Sequence, residues 1–209
     1  VLDAEGDDNK MGQMIDDFIA KQMDAIVMWP AREAPMGPPV DRAEAAGIPV
    51  VSLDRRTSST NISSEVLGNF YANGLQQGLY LNHVSGGKGN IIMNRKPLGS
   101  TADSMRSGAF MEAIGDLDYV IQESMHTNSS RKAAFEATQD ALQAHDDVDV
   151  IFNTGGEEAL GALDAVLEAN RLNSAPGGKK IIILVNDDSK ETVNEVRKGT
   201  MDVVVPYTP

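Results

Sequence analysis

A chain of 209 residues, 41% hydrophobic and 23% charged, has the composition of a folded globular protein and the length to bury a real core. Its formal net charge of −13 would repel a phosphate backbone and argues against nucleic acid as a partner. The lack of cysteine excludes disulfides, thiolate metal sites and thiol nucleophiles, and no apolar run approaches the roughly 18 residues that a membrane helix needs.

The chain opens on "VLDAEGDD", which reads as a strand end and a turn, and closes on "MDVVVPYTP", just past a strand. Both ends are expected to be cut inside a larger fold, so a missing leader is no evidence against export. Met11, Met14, Ile15, Phe18, Ile19 and Met23 then fall at helical spacing and give one apolar stripe. A strand at 24–29 ("DAIVMW") and a helix at 40–46 lead to a strand at 48–53 ("IPVVSL"). After the polar run "TSSTNISS" (57–64), the longest expected helix covers 64–83. Strands follow at 90–94, 119–124, 149–153, 180–185 and 201–206, separated by helices at 101–114, 130–145, 157–170 and 189–198. Gly47, Gly115 and Gly199 stand where left-handed helix caps belong.

Strands alternating with helices imply α/β architecture with parallel, doubly wound sheets. Several strands are apolar on consecutive residues, as strands covered on both faces should be. The composition break at 57–64 suggests two Rossmann-like lobes joined by a hinge, with a cleft between them.

Enzyme signatures fail. "SGGKGN" (85–90) and "APGGKK" (175–180) precede strands, whereas a phosphate loop follows one. In "DAEGDDNKMGQM" the glycine is misplaced for a calcium loop and Met14 stands at the twelfth position. His83, His126 and His145 have no paired metal spacing, and no nucleophile elbow is present. A hydrolase or transferase with Asp187 as base lacks any partner nucleophile. No metal and no cofactor are expected.

What remains lies where ligands of open α/β sheets bind, beyond the carboxyl ends of the strands. Those positions carry Trp29-Pro30, Asp54-Arg55-Arg56, Asn153-Thr154-Gly155, Asn186-Asp187-Asp188 and Pro206-Tyr207. Carboxylates accept from adjacent hydroxyls, guanidinium donates parallel hydrogen bonds, and an aromatic ring packs on the C–H face of a sugar. Each residue also has a structural alternative. Asp54 and Arg55 form a solvated turn, Asp187 and Asp188 serve a helix N-terminus, Trp29 is packing, and Arg106 lies on a solvated helix face.

In order along the chain, "AEGDDNKMGQMIDDFIAKQMDAIVMWP", "IPVVSLDRR", "STADSMRSGAF", "DVDVIFNTGGEEALGALDAV" and "VNDDSKETVNEVRKGTMDVVVPYTP" resemble the periplasmic sugar-binding proteins of the ribose and galactose type, type I solute-binding proteins of ABC transporters. The resemblance covers essentially the whole chain. It implies an N-terminal lobe over 1–62 lacking its first strand and helix, a C-terminal lobe over 63–205, and the start of a crossover at 206–209, with hinges near Ser63 and Pro206. It places Asp54 and Arg55 as first-lobe contacts, Arg106 at the family's arginine, Asp187 at its aspartate, and Tyr207 at the polar residue of the returning strand. Two positions depart. The family's asparagine falls on Gly155, with Asn153 two residues earlier, and an often aromatic position falls on Ser129, leaving Trp29 as the stacking ring.

The function implied is capture of a monosaccharide or similar polar solute by hinge closure, with delivery to an ABC permease and no chemistry performed. A chemoreceptor or sensor kinase is a further partner; a monomer in the periplasm, or anchored outside the membrane, is expected. The alternative is the effector domain of a LacI-type transcriptional repressor. Asp54→Ala and Arg106→Ala are each expected to abolish binding with the ligand-free melting temperature nearly unchanged.

Overall fold

The computed structural model describes residues 1–206, which divide into two compact units. The first comprises Val1–Asn69 with Gly99–Ala102, and the second Phe70–Leu98 with the described residues from Asp103 onward.

In the first unit, α1 (Asp8–Ala20) is started by Asp7, whose carboxylate accepts from the Asn9 and Lys10 amides at 2.8 and 3.1 Å. A 3-10 turn at Ala34–Met36 runs into α2 (Gly37–Ala45). Strands β1 (Ile26–Met28), β2 (Val50–Asp54) and β3 (Ser64–Leu67) form a parallel sheet in that order. Ile15 of α1 and Val40 and Ala43 of α2 bury Ile26, Met28 and Val50. Both helices therefore cover one face, while Val27, Leu53 and Val66 on the other are exposed among the described residues.

The structure corrects the expected helix at 64–83. Its first four residues are β3, and α3 begins only at Phe70. Four residues carry too little periodicity to reveal a strand. Pairing decides it, with Val51 opposite Ser64 and Leu53 opposite Val66.

Glu44 of α2 fastens this arrangement by accepting from the Val50 and Ser63 amides at 2.9 and 2.7 Å and from the Ser63 hydroxyl at 3.0 Å. Burial raises its pKa, but these three hydrogen bonds together outweigh burial and hold it below the ordinary 4.5. With a lowered folded-state pKa, the carboxylate's contribution to stability is complete above 4.5. It is lost as pH falls through 4.5 toward the folded-state value. Glu44→Gln is expected to lower the melting temperature by a few degrees at pH 7. The gap to the parent should close in melts run below pH 4.5; a gap of constant size would contradict this account.

The second unit is a five-stranded parallel sheet, ordered β5-β4-β6-β7-β8, of β4 (Lys88–Arg95), β5 (Asp118–His126), β6 (Val150–Asn153), β7 (Ile182–Asn186) and β8 (Val203–Val205). Here both faces are covered. Ile91, Met93, Val150, Phe152 and Leu184 face α3 (Phe70–Ser85) and α4 (Thr101–Ile114), where Phe110 stacks on Phe152 at 4.0 Å between centroids. Ile92, Ile151, Ile183 and Val185 face α5 (Arg131–Ala144) and α6 (Gly156–Glu168), with Val196 of α7 (Lys190–Lys198) packed against the same cluster. Helices α5 and α6 meet at Gly161, where any Cβ would overlap the Arg131 carbonyl. Gly47, Gly115 and Gly199 all take positive φ (80°, 46° and 80°), as helix-terminating glycines require.

From β4 the chain winds outward to β5 on one side and to β6, β7 and β8 on the other. The carboxyl ends of β4 and β6 therefore flank the topological switch point, where crevices form in open α/β sheets.

Candidate functional site

In the first unit, β1 and β2 are hydrogen-bonded neighbours, so the residues beyond their carboxyl ends meet. Asp54 ends β2 at φ 67°, a left-handed conformation that aspartate tolerates better than most residues. Its Oδ2 accepts from Trp29 Nε1 at 3.0 Å and lies 3.8 Å from Arg55 Nε. The Arg55 guanidinium stands 5.3 Å from the Trp29 ring centroid and donates to the Ala31 carbonyl at 2.8 Å. Trp29, Asp54 and Arg55 thus form one cluster in which the tryptophan, 61% exposed, offers its ring to solvent. Arg56 is exposed beside it.

In the second unit the strand ends are tied by asparagines. Asn94 Nδ2 donates to Asn153 Oδ1 at 3.1 Å, Asn153 Nδ2 to the Leu184 carbonyl at 2.9 Å, and Asn186 Nδ2 to the Val205 carbonyl at 3.2 Å. Asn153 is fully buried and braces β6 against β4 and β7. The last inward-pointing position of a strand buries its side chain whatever the polarity, and partners then make the amide tolerable.

Arg106 is buried as well, 1% exposed, which overturns the solvated-face alternative. Its Nη1 donates to the Thr154 carbonyl at 2.9 Å, and its guanidinium lies 4.8 Å from the Phe70 ring centroid. Asp187 accepts from Thr192 Oγ1 at 2.9 Å and from the Ser189 amide at 3.3 Å, and it closely approaches the space beside Gly156. The cap of α7 is Ser189, whose hydroxyl accepts from the Thr192 amide, so Asp187 is oriented by the helix start without capping it.

Two residues absent from the sequence-based set stand beside Gly155. Lys96 follows β4 and reaches toward the end of β6, with Nζ 3.7 Å from Glu158 Oε2 and 3.4 Å from Ser129 Oγ. Its backbone amide donates to Asp103 Oδ1 at 2.9 Å and Thr154 Oγ1 at 3.1 Å, and its carbonyl lies 2.6 Å from His126 Nδ1. A Cβ at Gly155 would fall 2.5 Å from both Lys96 Nζ and Glu158 Oε2. Applying the strand-end rule to "NIIMN" would have flagged Arg95 and Lys96. Nothing local marks Glu158, one acid among several on α6. Tyr207 lies outside the described residues.

Among the described residues no group of acids and histidines is disposed to hold a metal, and no helix is long and apolar enough to cross a membrane.

The family described as "Periplasmic binding protein domain" matches residues 1–209. The ribose import binding protein of Haemophilus influenzae is 27% identical over 209 residues, covering all of this chain and 69% of that protein. The D-apiose import binding protein of Paraburkholderia graminis is 28% identical over 206 residues, 96% of this chain and 62% of its own. Among solved structures, the binding component of the arabinose ABC transporter from Shewanella sp. ANA-3, bound to L-arabinofuranose, gives a TM-score of 0.92 at 25% identity over 100% of this chain and 70% of its own. The fructose-binding periplasmic domain of a hybrid two-component system gives 0.88 at 25% identity, over 97% and 67%. The chain thus spans about two thirds of the length of these proteins.

Proposed function

Because the chain belongs to the periplasmic binding protein domain family, we propose that it captures a monosaccharide or similar polar solute outside the cytoplasm and passes it to an ABC importer, without chemistry. The observation that carries this reading is the Trp29–Asp54–Arg55 cluster at the carboxyl ends of β1 and β2. It unites a flat apolar ring, a carboxylate that accepts from hydroxyls and a guanidinium that donates to them. Arg106 and Asp187 extend the set from the second unit, and Tyr207, outside the described residues, is proposed as a further contact. The charges then discriminate strongly, since a solute lacking one hydroxyl leaves a desolvated group unpartnered.

The relatives described above are import or periplasmic binding components, which favours export over the repressor alternative. Similarity to the fructose-binding domain of a two-component system favours, as a second reading, delivery of the bound sugar's signal to a sensor kinase.

A thermal-shift panel of pentoses, hexoses, polyols and furanoses tests the capture itself. Stabilisation by several degrees with one class is the expected result, through mass action on the folded state. Silence across the panel would overturn the sugar reading.

A further inference from the structure

We infer that Lys96 is a specificity-determining solute contact of the second unit, standing in for the side chain that Gly155 lacks, with Glu158 as the residue that positions it and cancels its charge. The inference rests on the sugar-capture reading and names one group that reads the solute.

Three observations converge on it. The first is placement. Lys96 follows β4 and Gly155 follows β6, the two strands that flank the switch point, so the pair lies where an open α/β sheet forms its crevice. The second is volume. The Lys96 ammonium and a Glu158 oxygen each stand 2.5 Å from where a Cβ at residue 155 would begin. That space is therefore filled by head groups arriving from two other elements. The third is chemistry. Glu158 is fully buried, and neither of its oxygens accepts a hydrogen bond from a described residue; the ammonium at 3.7 Å is its ion-pair partner. A buried carboxylate held mainly by one cation is costly in a merely structural role, where an apolar pair would serve as well or better.

The lysine side chain is also preorganised. Hydrogen bonds from its own amide to Asp103 and Thr154 fix its backbone, and Ser129 Oγ accepts from the ammonium. An ammonium carries three donors and no acceptor, so it selects a solute oxygen with a free lone pair, a hydroxyl or a ring oxygen. Glu158 makes the pair neutral overall. The site is thereby matched to an uncharged sugar or polyol, and a carboxylate on the solute would meet a carboxylate behind the lysine.

The test titrates the full chain with the neutral sugar selected by the thermal panel and with the corresponding uronic or aldonic acid. Lys96→Met is expected to weaken the neutral sugar at least tenfold. Glu158→Gln, which removes the carboxylate beside the ammonium, is expected to shift preference toward the acid at least tenfold, a change that a purely structural role would not produce. Lys96→Met combined with Glu158→Gln leaves no buried charge unpaired, so it should melt within a few degrees of the parent while still losing the sugar tenfold or more. Gly155→Asn should abolish binding in the parent and restore it to within tenfold of the parent in a Lys96→Ala background. Parent-like sugar affinity in either Lys96→Met variant would overturn the inference and leave the capture reading intact. A parent that binds no sugar would overturn both.

Discussion

Replacing Asp54 with alanine is expected to weaken solute binding by about 10²–10³-fold, measured by titration calorimetry with the sugar that stabilises the parent. A hydrogen bond to a charged group is worth roughly 1.5–3 kcal/mol, and a carboxylate that accepts from two adjacent hydroxyls carries about 3–4 kcal/mol, which sets that factor. The ligand-free protein is not untouched, because Asp54 accepts from Trp29 Nε1 and sits at φ 67°. Alanine loses that hydrogen bond and tolerates the left-handed region poorly, so a stability loss of about 1–2 kcal/mol accompanies it. The ion pair with Arg55 adds little, being 3.8 Å long and partly exposed. Asp54→Asn separates the two effects. It keeps the shape and the tolerance of positive φ but removes the charge, so binding should fall while the melting temperature holds. If Asp54→Asn bound as tightly as the parent, the carboxylate would be a turn residue and not a clamp.

Arg106→Ala is expected to abolish detectable binding and also to destabilise the ligand-free protein by about 3 kcal/mol, read from denaturant unfolding. This departs from the expectation that its melting temperature would be nearly unchanged. The arginine is among the largest fully buried side chains of the molecule, lies over Phe70 and donates to the Thr154 carbonyl. Truncation removes that packing, leaves a void and strips a buried carbonyl of its donor. Arg106→Lys keeps most of the stem and the charge but loses the planar fork, so it should recover much of the stability and little of the affinity. Full affinity in Arg106→Lys would assign the residue to structure alone.

The candidate site was partly legible because the rule for open α/β sheets concerns strand ends, which apolar runs reveal. "IPVVSLDRR" places Asp54 and Arg55 at such an end, and they meet Trp29 there. The same rule is silent on the role of Asn153. It locates a residue along a strand but not which way its side chain turns, and burial between β4 and β7 decided that. Lys96 was passed over, and Glu158 carries no local signal at all. Their meeting at Gly155 depends on β4 and β6 being neighbours although β5 lies between them in sequence.

By itself the sequence determined what is local: the alternation of strands and helices, the parallel α/β class, the helix-ending glycines and the polar residues at the strand ends. Each follows from side-chain period or backbone stereochemistry within a few residues. Only the tertiary structure decided that Ser64–Leu67 is a strand. It alone made Arg106 an interior group and brought a lysine and a glutamate into the space beside a glycine. Those outcomes depend on which distant elements pack together, and pairing and burial are set by contacts between segments far apart in the chain.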